Sequence, residues 1–173
     1  MRNATGPKGG RPGADPATTA TLRPAAPADA GFLRDLFAAD AGELLRSTGL
    51  TGEAIASLLS LQLRSRDAAY RERYPEARFS VIEREGVPVG RLVEADGDGF
   101  TLVVDIAVAP AWRRSGIAAA VLRDAMARWS GAGRGGWANV FVNNVPSLAL
   151  FAGLGFTGKA EDGAAQVTMT WTP

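Results

Sequence analysis

The apolar positions change their period several times along the chain, and each change marks an element. Residues 19–24 (TATLRP) alternate and predict a short strand. In the PADAGFLRDLFAAD that follows, Pro27 stands near a helix start, and Phe32, Leu33, Leu36 and Phe37 recur at helical spacing. Gly49 and Gly52 of STGLTG break that helix. A second helix is predicted from Glu53 to about Arg73, with Ile55, Leu58, Leu59, Gln62 and Leu63 as its stripe and Pro75 as its stop. Its second half, RSRDAAYRER, is densely charged and reads as a solvated face.

Strands follow. RFSVIERE sets Phe79, Val81 and Glu83 against Ser80, Ile82 and Arg84. Glu85 and Gly86 make a turn, VPVGRLVEA returns, and Asp96, Gly97, Asp98 and Gly99 form a second hairpin turn. FTLVVDIAVAP is a nearly unbroken apolar run, the mark of a central strand buried on both faces. Together these predict an antiparallel meander. Beyond Pro110 the period changes to a helix over 115–130, with Ile117, Val121, Leu122, Ala125, Met126 and Trp129 on one stripe. A loop (GAGRGG), a strand (WANVFV), a short helix (PSLALFAGL) ended by Gly155, and strands FTG and QVTMTWT complete the chain. This alternation is the α/β half of a mixed sheet, with one right-handed parallel crossover through the helix after Pro110.

Composition narrows the chemistry. A chain of 173 residues suits one domain with a real core, predicted over 19–173. Residues 1–18, rich in Gly, Pro, Thr and Ala, predict a disordered tail and have no apolar core of the kind a signal peptide needs. No apolar run approaches the ~20 residues that span a bilayer, so no membrane partner is expected. The chain has no cysteine and no histidine, which excludes disulfides, thiolate metal sites, Cys nucleophiles and Ser-His-Asp schemes. Proton transfer must rest on Asp, Glu, Tyr, a terminus or water. A net charge of +1 gives no global field for nucleic acid, and no nucleic-acid partner is expected. Arginine far outnumbers lysine (Lys8 and Lys159 only), which we take as a coding bias toward GC-rich DNA.

The stretch VAPAWRRSGIAAAVL, residues 108–122, sets two arginines, a serine and a glycine at the mouth of a helix. The helix dipole disfavours cations there. An anion resolves the conflict: the first N–H groups of a helix lack intrahelical partners and point at whatever lies beyond the end. Gly116 has no Cβ to block close approach, Ala118 is nearly as small, and Arg113 and Arg114 become counter-charges. A solvent-exposed arginine turn is the plainer alternative. The G-x-x-x-x-G-K-S/T phosphate loop does not occur, and the strands before this junction are antiparallel hairpins, which argues against a Rossmann dinucleotide site.

Residues 108–118, with Arg113, Arg114, Ser115, Gly116, Ile117 and Ala118 at the centre, resemble motif A of the GNAT superfamily of acyl-CoA-dependent N-acetyltransferases, written Q/R-x-x-G-x-G/A. NVPSLALFAGLGF, residues 144–156, resembles motif B of the same family, N-x-x-A-x-x-L-Y-x-x-x-G-F. The two occur in order, with a helix and a strand between them, and the resemblance covers about residues 19–172. It implies an α+β (mixed α/β) GNAT-like fold: a central mixed, mostly antiparallel sheet with two splayed parallel strands, 100–108 and 137–142, and helices on both faces. It implies acetyl-CoA as cosubstrate and no metal. The pantetheine arm would run along Ile106, Ala107 and Val108. The pyrophosphate would rest on amides from Arg114 to Ala118 beside Arg113, and Asn144 and Phe151 would stand at the cofactor. The reaction would be direct acetyl transfer to an amine, without a covalent enzyme intermediate.

The chain departs from the family pattern in its proton-transfer groups. Phe151 replaces the tyrosine that usually protonates the leaving thiolate, and phenylalanine cannot donate a proton. Ser147, one turn earlier, replaces an alanine; its hydroxyl is either a substitute acid or a helix N-cap. Asn139 stands where some relatives carry a glutamate base. Asp105, inside an apolar strand run, is the leading carboxylate, either catalytic or held in a structural ion pair. Glu83 and Glu94 are its alternatives. Tyr70 and Tyr74 either line the substrate pocket or cap the core with polar tips, and Trp112 and Trp137 read as packing residues. The expected function is N-acetyl transfer to a small-molecule or peptide amine in the cytoplasm, with a homodimer among the open oligomeric states. An acyl-CoA-binding module with little catalysis is the alternative that Phe151 raises. The acceptor is expected to be shaped by the first two helices and their RSTGLTG loop.

Overall fold

A computed structural model describes the backbone of residues 20–46 and 52–173, with side chains for 20–39 and 52–173. The predicted tail, Gly49 and most of the RSTGLTG loop lie outside the described residues. Strand β1 (Thr21–Pro24) leads through a 3-10 turn (Pro27–Asp29) into helices α1 (Ala30–Arg46) and α2 (Gly52–Arg73). The meander β2 (Arg78–Arg84), β3 (Val87–Asp96) and β4 (Phe100–Val108) follows. A 3-10 turn (Pro110–Trp112), α3 (Ile117–Gly131), β5 (Gly135–Phe141), α4 (Val145–Gly153) and β6 (Gln166–Trp171) complete the fold. The six strands lie in chain order, antiparallel throughout except for the parallel pair β4 and β5. This is the mixed, mostly antiparallel sheet that the periodicity and the family resemblance predict.

The differences from the predicted elements are local. Gly135 and Gly136 look like loop residues, but parallel pairing with Phe100 and Thr101 draws them into β5. FTG contributes one bridge, Thr157 to Thr170, and no strand. Gln62 is exposed, so the buried stripe of α2 narrows to Leu59 and Leu63.

Strand register sorts the side chains onto two faces. All six predicted stripe residues of α3 are buried, and they share one core with Ile82, Leu92, Val103, Ala138, Val140, Phe151 and Phe156. Glu94 lies on this face too. It is 2% exposed and accepts a hydrogen bond from Trp129 Nε1 at 2.9 Å, with Arg128 Nη2 at 3.3 Å. Phe79 and Val81 of β2 stand opposite Val93 and Arg91 of β3, which in turn face Asp105 and Ala107 of β4. Side chains on paired residues share a face, so these form the other surface, the one covered by α2 and α1.

The charged half of α2 is exposed at seven of its ten positions, as a solvated face should be, while Arg66, Asp67 and Tyr70 turn inwards. Arg91, 3% exposed in the middle of β3, places Nη2 3.0 Å from Asp67 Oδ1 and Nε 3.0 Å from Asp105 Oδ2. Arg66 joins from α2, with Nη2 3.4 Å from Asp105 Oδ2 and Nε 3.9 Å from Asp67 Oδ1. Two guanidinium groups and two carboxylates thus form a closed, neutral set between helix and sheet. A buried cation is tolerable only when so compensated. Arg66 also stacks over Phe37 of α1 at 4.7 Å, so the same side chain ties both helices to the set.

A second ion cluster fixes the N-terminal edge. Asp29 accepts from both terminal nitrogens of Arg23 and from the Ala26 amide, each at 2.7 Å, while Arg23 Nε reaches Glu83 on β2 at 2.7 Å. The Arg23 hydrogen bonds, and then that from Ala26, lower the Asp29 carboxyl to about 2.

Two outcomes follow. Arg91→Met strands two carboxylates at a mostly buried site and is expected to cost about 3 kcal/mol in urea unfolding; a loss below ~1 kcal/mol would mean that water already screens the set. A carboxylate with a depressed folded-state pKa stabilises fully above its unfolded value and loses that contribution as pH falls through the folded one. Asp29→Asn should therefore lower Tm at pH 6, and the deficit should close as the pH falls from about 4 towards 2.

Candidate functional site

The site begins with a register shift. Val93 stands opposite Asp105, but Glu94 stands opposite Val103, so Val104 is an extra residue and β4 carries a β-bulge there. Parallel pairing of β4 with β5 runs from Phe100 to Val103 and stops at the bulge. Beyond it β5 pairs only with β6, through Asn139, Val140 and Phe141. The strands diverge, and this is why the second half of β4 is only partly buried, where the apolar run predicted burial on both faces.

The divergence leaves backbone groups unpaired in mid-sheet. The Ala109 amide donates to Val89 O on β3 at 2.8 Å, and a Cβ built on Gly90 of β3 would overlap the Ala107 carbonyl oxygen. Residues 107 and 109 therefore direct their backbone towards β3. By the two-residue alternation of a strand, Ile106 and Val108 direct theirs across the gap. Arg113 Nε donates to Val108 O at 2.9 Å, consistent with that direction. The N–H and C=O of Ile106 and the N–H of Val108 face the opening.

A cavity of about 500 Å³ occupies the gap. Val104, Asp105 and Ile106 line one wall, and Asn139, Val140 and Phe141 the other. Helix α2 covers it with Arg66, Tyr70 and Arg73, with Tyr74 just beyond its end, and α4 supplies Ser147 and Phe151, with Asn144 at its start. The structure thus brings Asp105, Ile106, Asn144, Ser147 and Phe151 together. Glu83 and Glu94, the alternative carboxylates, are elsewhere, each occupied by arginine. Asn144, not Ser147, caps α4: its Oδ1 accepts from the Ser147 amide at 3.2 Å. The capping alternative for Ser147 is therefore replaced by a hydroxyl that lines the cavity. Phe151 is buried, its ring edge-on to Phe156 at 5.1 Å. Asn139 Oδ1 accepts from Thr168 Oγ1 at 3.0 Å. Tyr70 and Tyr74 line the cavity. Burial, then the Asp105 charge, pushes the Tyr70 phenol up, so it is protonated at neutral pH. Trp137 stacks on Phe100 at 4.7 Å, and Trp112 packs on the core with Arg84 5.1 Å from its ring.

The carboxylate Asp105 is the one acidic side chain lining this cavity among the described residues. Its Oδ2 meets Arg91 and Arg66 at ion-pair distance, yet no hydrogen bond of good geometry reaches that atom, nor Arg66 Nε. Oδ2 is buried between the two guanidinium groups, and the carboxylate opens to the cavity through its other oxygen, Oδ1. Arg66, Asp67 and Arg91 are the members of this site that sequence reasoning missed. Their signal was present, in an arginine inside the apolar strand VPVGRLVEA and an aspartate inside FTLVVDIAVAP.

At the end of β4 the chain turns into α3 through two left-handed residues, Arg114 (φ 57°) and Gly116 (φ 82°). Glycine adopts that conformation without strain, other residues at a cost. Ser115 Oγ donates to Trp112 O, which closes the turn. No side chain caps α3, and the first bond to the turn is from the Ala120 amide to Gly116 O at 2.9 Å. The amides of Ile117, Ala118 and Ala119 are left open at the positive end of the helix dipole. Arg113 is folded back onto β4, whereas Arg114 has no carboxylate at ion-pair distance among the described residues.

No helix among the described residues is long and apolar enough to cross a membrane. No curated protein matches the sequence. Solved structures share the fold. The PaiA N-acetyltransferase of Thermoplasma acidophilum, in complex with coenzyme A, superposes with a TM-score of 0.67 at 12% identity, over 90% of this chain and 99% of that one. RimJ of Mycobacterium smegmatis, in complex with CoA-disulfide, gives 0.62 at 23% identity over 91% and 83%. The ribosomal-protein-S18-alanine N-acetyltransferase of Escherichia coli gives 0.61 at 15% over 89% and 94%. The model of the Acetyltransferase (GNAT) family matches residues 51–156, and with the splayed strands and the open helix mouth in place the chain belongs to that family.

Proposed function

We propose that the protein transfers the acetyl group of acetyl-CoA directly to a primary amine of a small molecule or peptide, in the cytoplasm and without a covalent enzyme intermediate. The observation that carries this reading is the mid-sheet gap, with unpaired backbone of Ile106 and Val108 running towards an uncapped helix mouth. An extended amide-containing arm finds donors and an acceptor along β4. A diphosphate finds the amides of Ile117 to Ala119, with Ser115 and Gly116 in the turn and Arg114 as counter-charge. Arg113 shapes that turn from the β4 side. The thioester supplies the activated acetyl group; the protein supplies position and proton handling.

The amine must lose a proton, and on this reading the Asp105 carboxylate accepts it through Oδ1, the oxygen that is not buried between the arginines. Phe151 offers nothing to the leaving thiolate. Ser147, a turn earlier on α4, and the protonated Tyr70 are the hydroxyls that share its cavity, and Ser147 is the nearer in sequence to the family's acid.

Gly116→Val forces a β-branched residue into the left-handed region, at about 1–2 kcal/mol. The domain should still fold, with acetyl-CoA affinity by calorimetry reduced at least tenfold; unchanged affinity would refute the proposed mouth. A missing proton-transfer group typically costs ~10²–10⁴-fold. Phe151→Tyr should therefore raise the rate of thiol release from acetyl-CoA in the presence of an amine, while Asp105→Asn lowers it. The burial of Phe151 also favours a second reading, an acyl-CoA-binding module. Tight acetyl-CoA binding with no thiol release from either the wild type or Phe151→Tyr, across a broad amine panel, would establish it.

A further inference from the structure

We infer that the acceptor is a small-molecule amine that also carries an oxyanion, a carboxylate or a phosphate, held by Arg73 at the α2 wall of the gap. The inference rests on the transferase reading above and follows from a charge count of the cavity. Arg66, Tyr70 and Arg73 fall at positions i, i+4 and i+7 of α2, one face of a helix, with Tyr74 just beyond its end, and all four line the gap. Arg66 belongs to the closed set with Arg91, Asp67 and Asp105, whose two positive and two negative charges cancel. Arg73 is outside that set. Its guanidinium lies 5.6 Å from the Tyr74 ring, and no carboxylate among the described residues stands at ion-pair distance from it. The remaining lining side chains with polar atoms, among them Asn139, Asn144, Ser147 and Gln166, are uncharged.

The described lining therefore carries one uncompensated positive charge and no uncompensated negative one. A polyamine, with a second ammonium to place, meets a cation and no counter-charge, and like charges in a partly enclosed site repel. An amine with an oxyanion meets the reverse. Its amino end has the Asp105 carboxylate as acceptor, through Oδ1, and its acidic end has a planar donor fork suited to carboxylate or phosphate. Arg66 and Arg73 are two helical turns apart, roughly 10 Å along α2, so the two ends of the acceptor bind at opposite ends of the gap. The cavity of about 500 Å³ is shared between such a molecule, on the α2 side, and the acetylated end of the arm laid along β4.

The test uses the full chain and acetyl-CoA, with thiol release as the readout. Acceptors are matched sets: ω-amino acids with aliphatic and aromatic spacers, their amides, the corresponding diamines, and aminoalkyl phosphates. The expected result is a kcat/KM at least tenfold higher for the carboxylates or the phosphates than for amides and diamines of equal length. The preferred oxyanion tells carboxylate from phosphate. In Arg73→Gln this ratio should fall towards unity through KM with kcat retained, and Arg73→Lys should restore most of it. Preference for amides or diamines, or a ratio that Arg73→Gln leaves intact, would overturn the inference while leaving the transferase reading in place. No release with any member, alongside tight acetyl-CoA binding, would remove both.

Discussion

One extra residue organises this molecule. The bulge at Val104 ends the pairing of β4 with β5, and a sheet otherwise continuous from β1 to β6 opens at its centre. A strand that stops pairing in mid-sheet leaves polar backbone in an apolar neighbourhood, which costs free energy unless something satisfies it. The arrangement is stable because both halves are held from outside the gap. On one face α3 packs across β3, β4 and β5 through an apolar stripe and the Trp129–Glu94 hydrogen bond. On the other, α2 is tied to β3 and β4 by the Arg91 set. The opening is thus a property of the scaffold, formed before any ligand arrives.

The Arg91 set couples that scaffold to chemistry. The residues that make Arg91 tolerable in the core, Asp67 and Asp105, are also what fixes Arg66 at the gap wall. Asp105 faces the core through one guanidinium and the cavity through its remaining acceptor capacity. A carboxylate so placed is stationary, and on the proposed reading it meets an acceptor amine with little motion left to lose.

Much of this was legible in the sequence, for a physical reason in each case. The α3 stripe follows from six apolar residues at one period, and all six are buried. The open helix mouth follows from local chain chemistry at Arg113 to Gly116. What periodicity cannot supply is which distant charges meet. Arg91 lies 24 residues from Asp67, and a charged helix end looks the same whether it faces water or an arginine on a strand. Asn144 and Ser147 are both capable caps for α4, and only backbone geometry decides between them. The bulge left no compositional trace in FTLVVDIAVAP, so burial was overpredicted for the half of β4 beyond it.

The gap also bears on unwanted strand pairing. An unpaired strand edge is ordinarily a template for another chain's strand, and natural sheets shorten, charge or cover such edges. Here the edge that must remain unpaired lies inside the sheet, in a wedge whose other side is β5 and whose cover is α2. A slender extended ligand can enter it; the flat rim of a second sheet cannot. Of the two outer rims, that at β1 is four residues long and held by the Arg23 cluster, and that at β6 is six residues long. The molecule thus keeps a reactive backbone edge for its ligand without presenting it to aggregation.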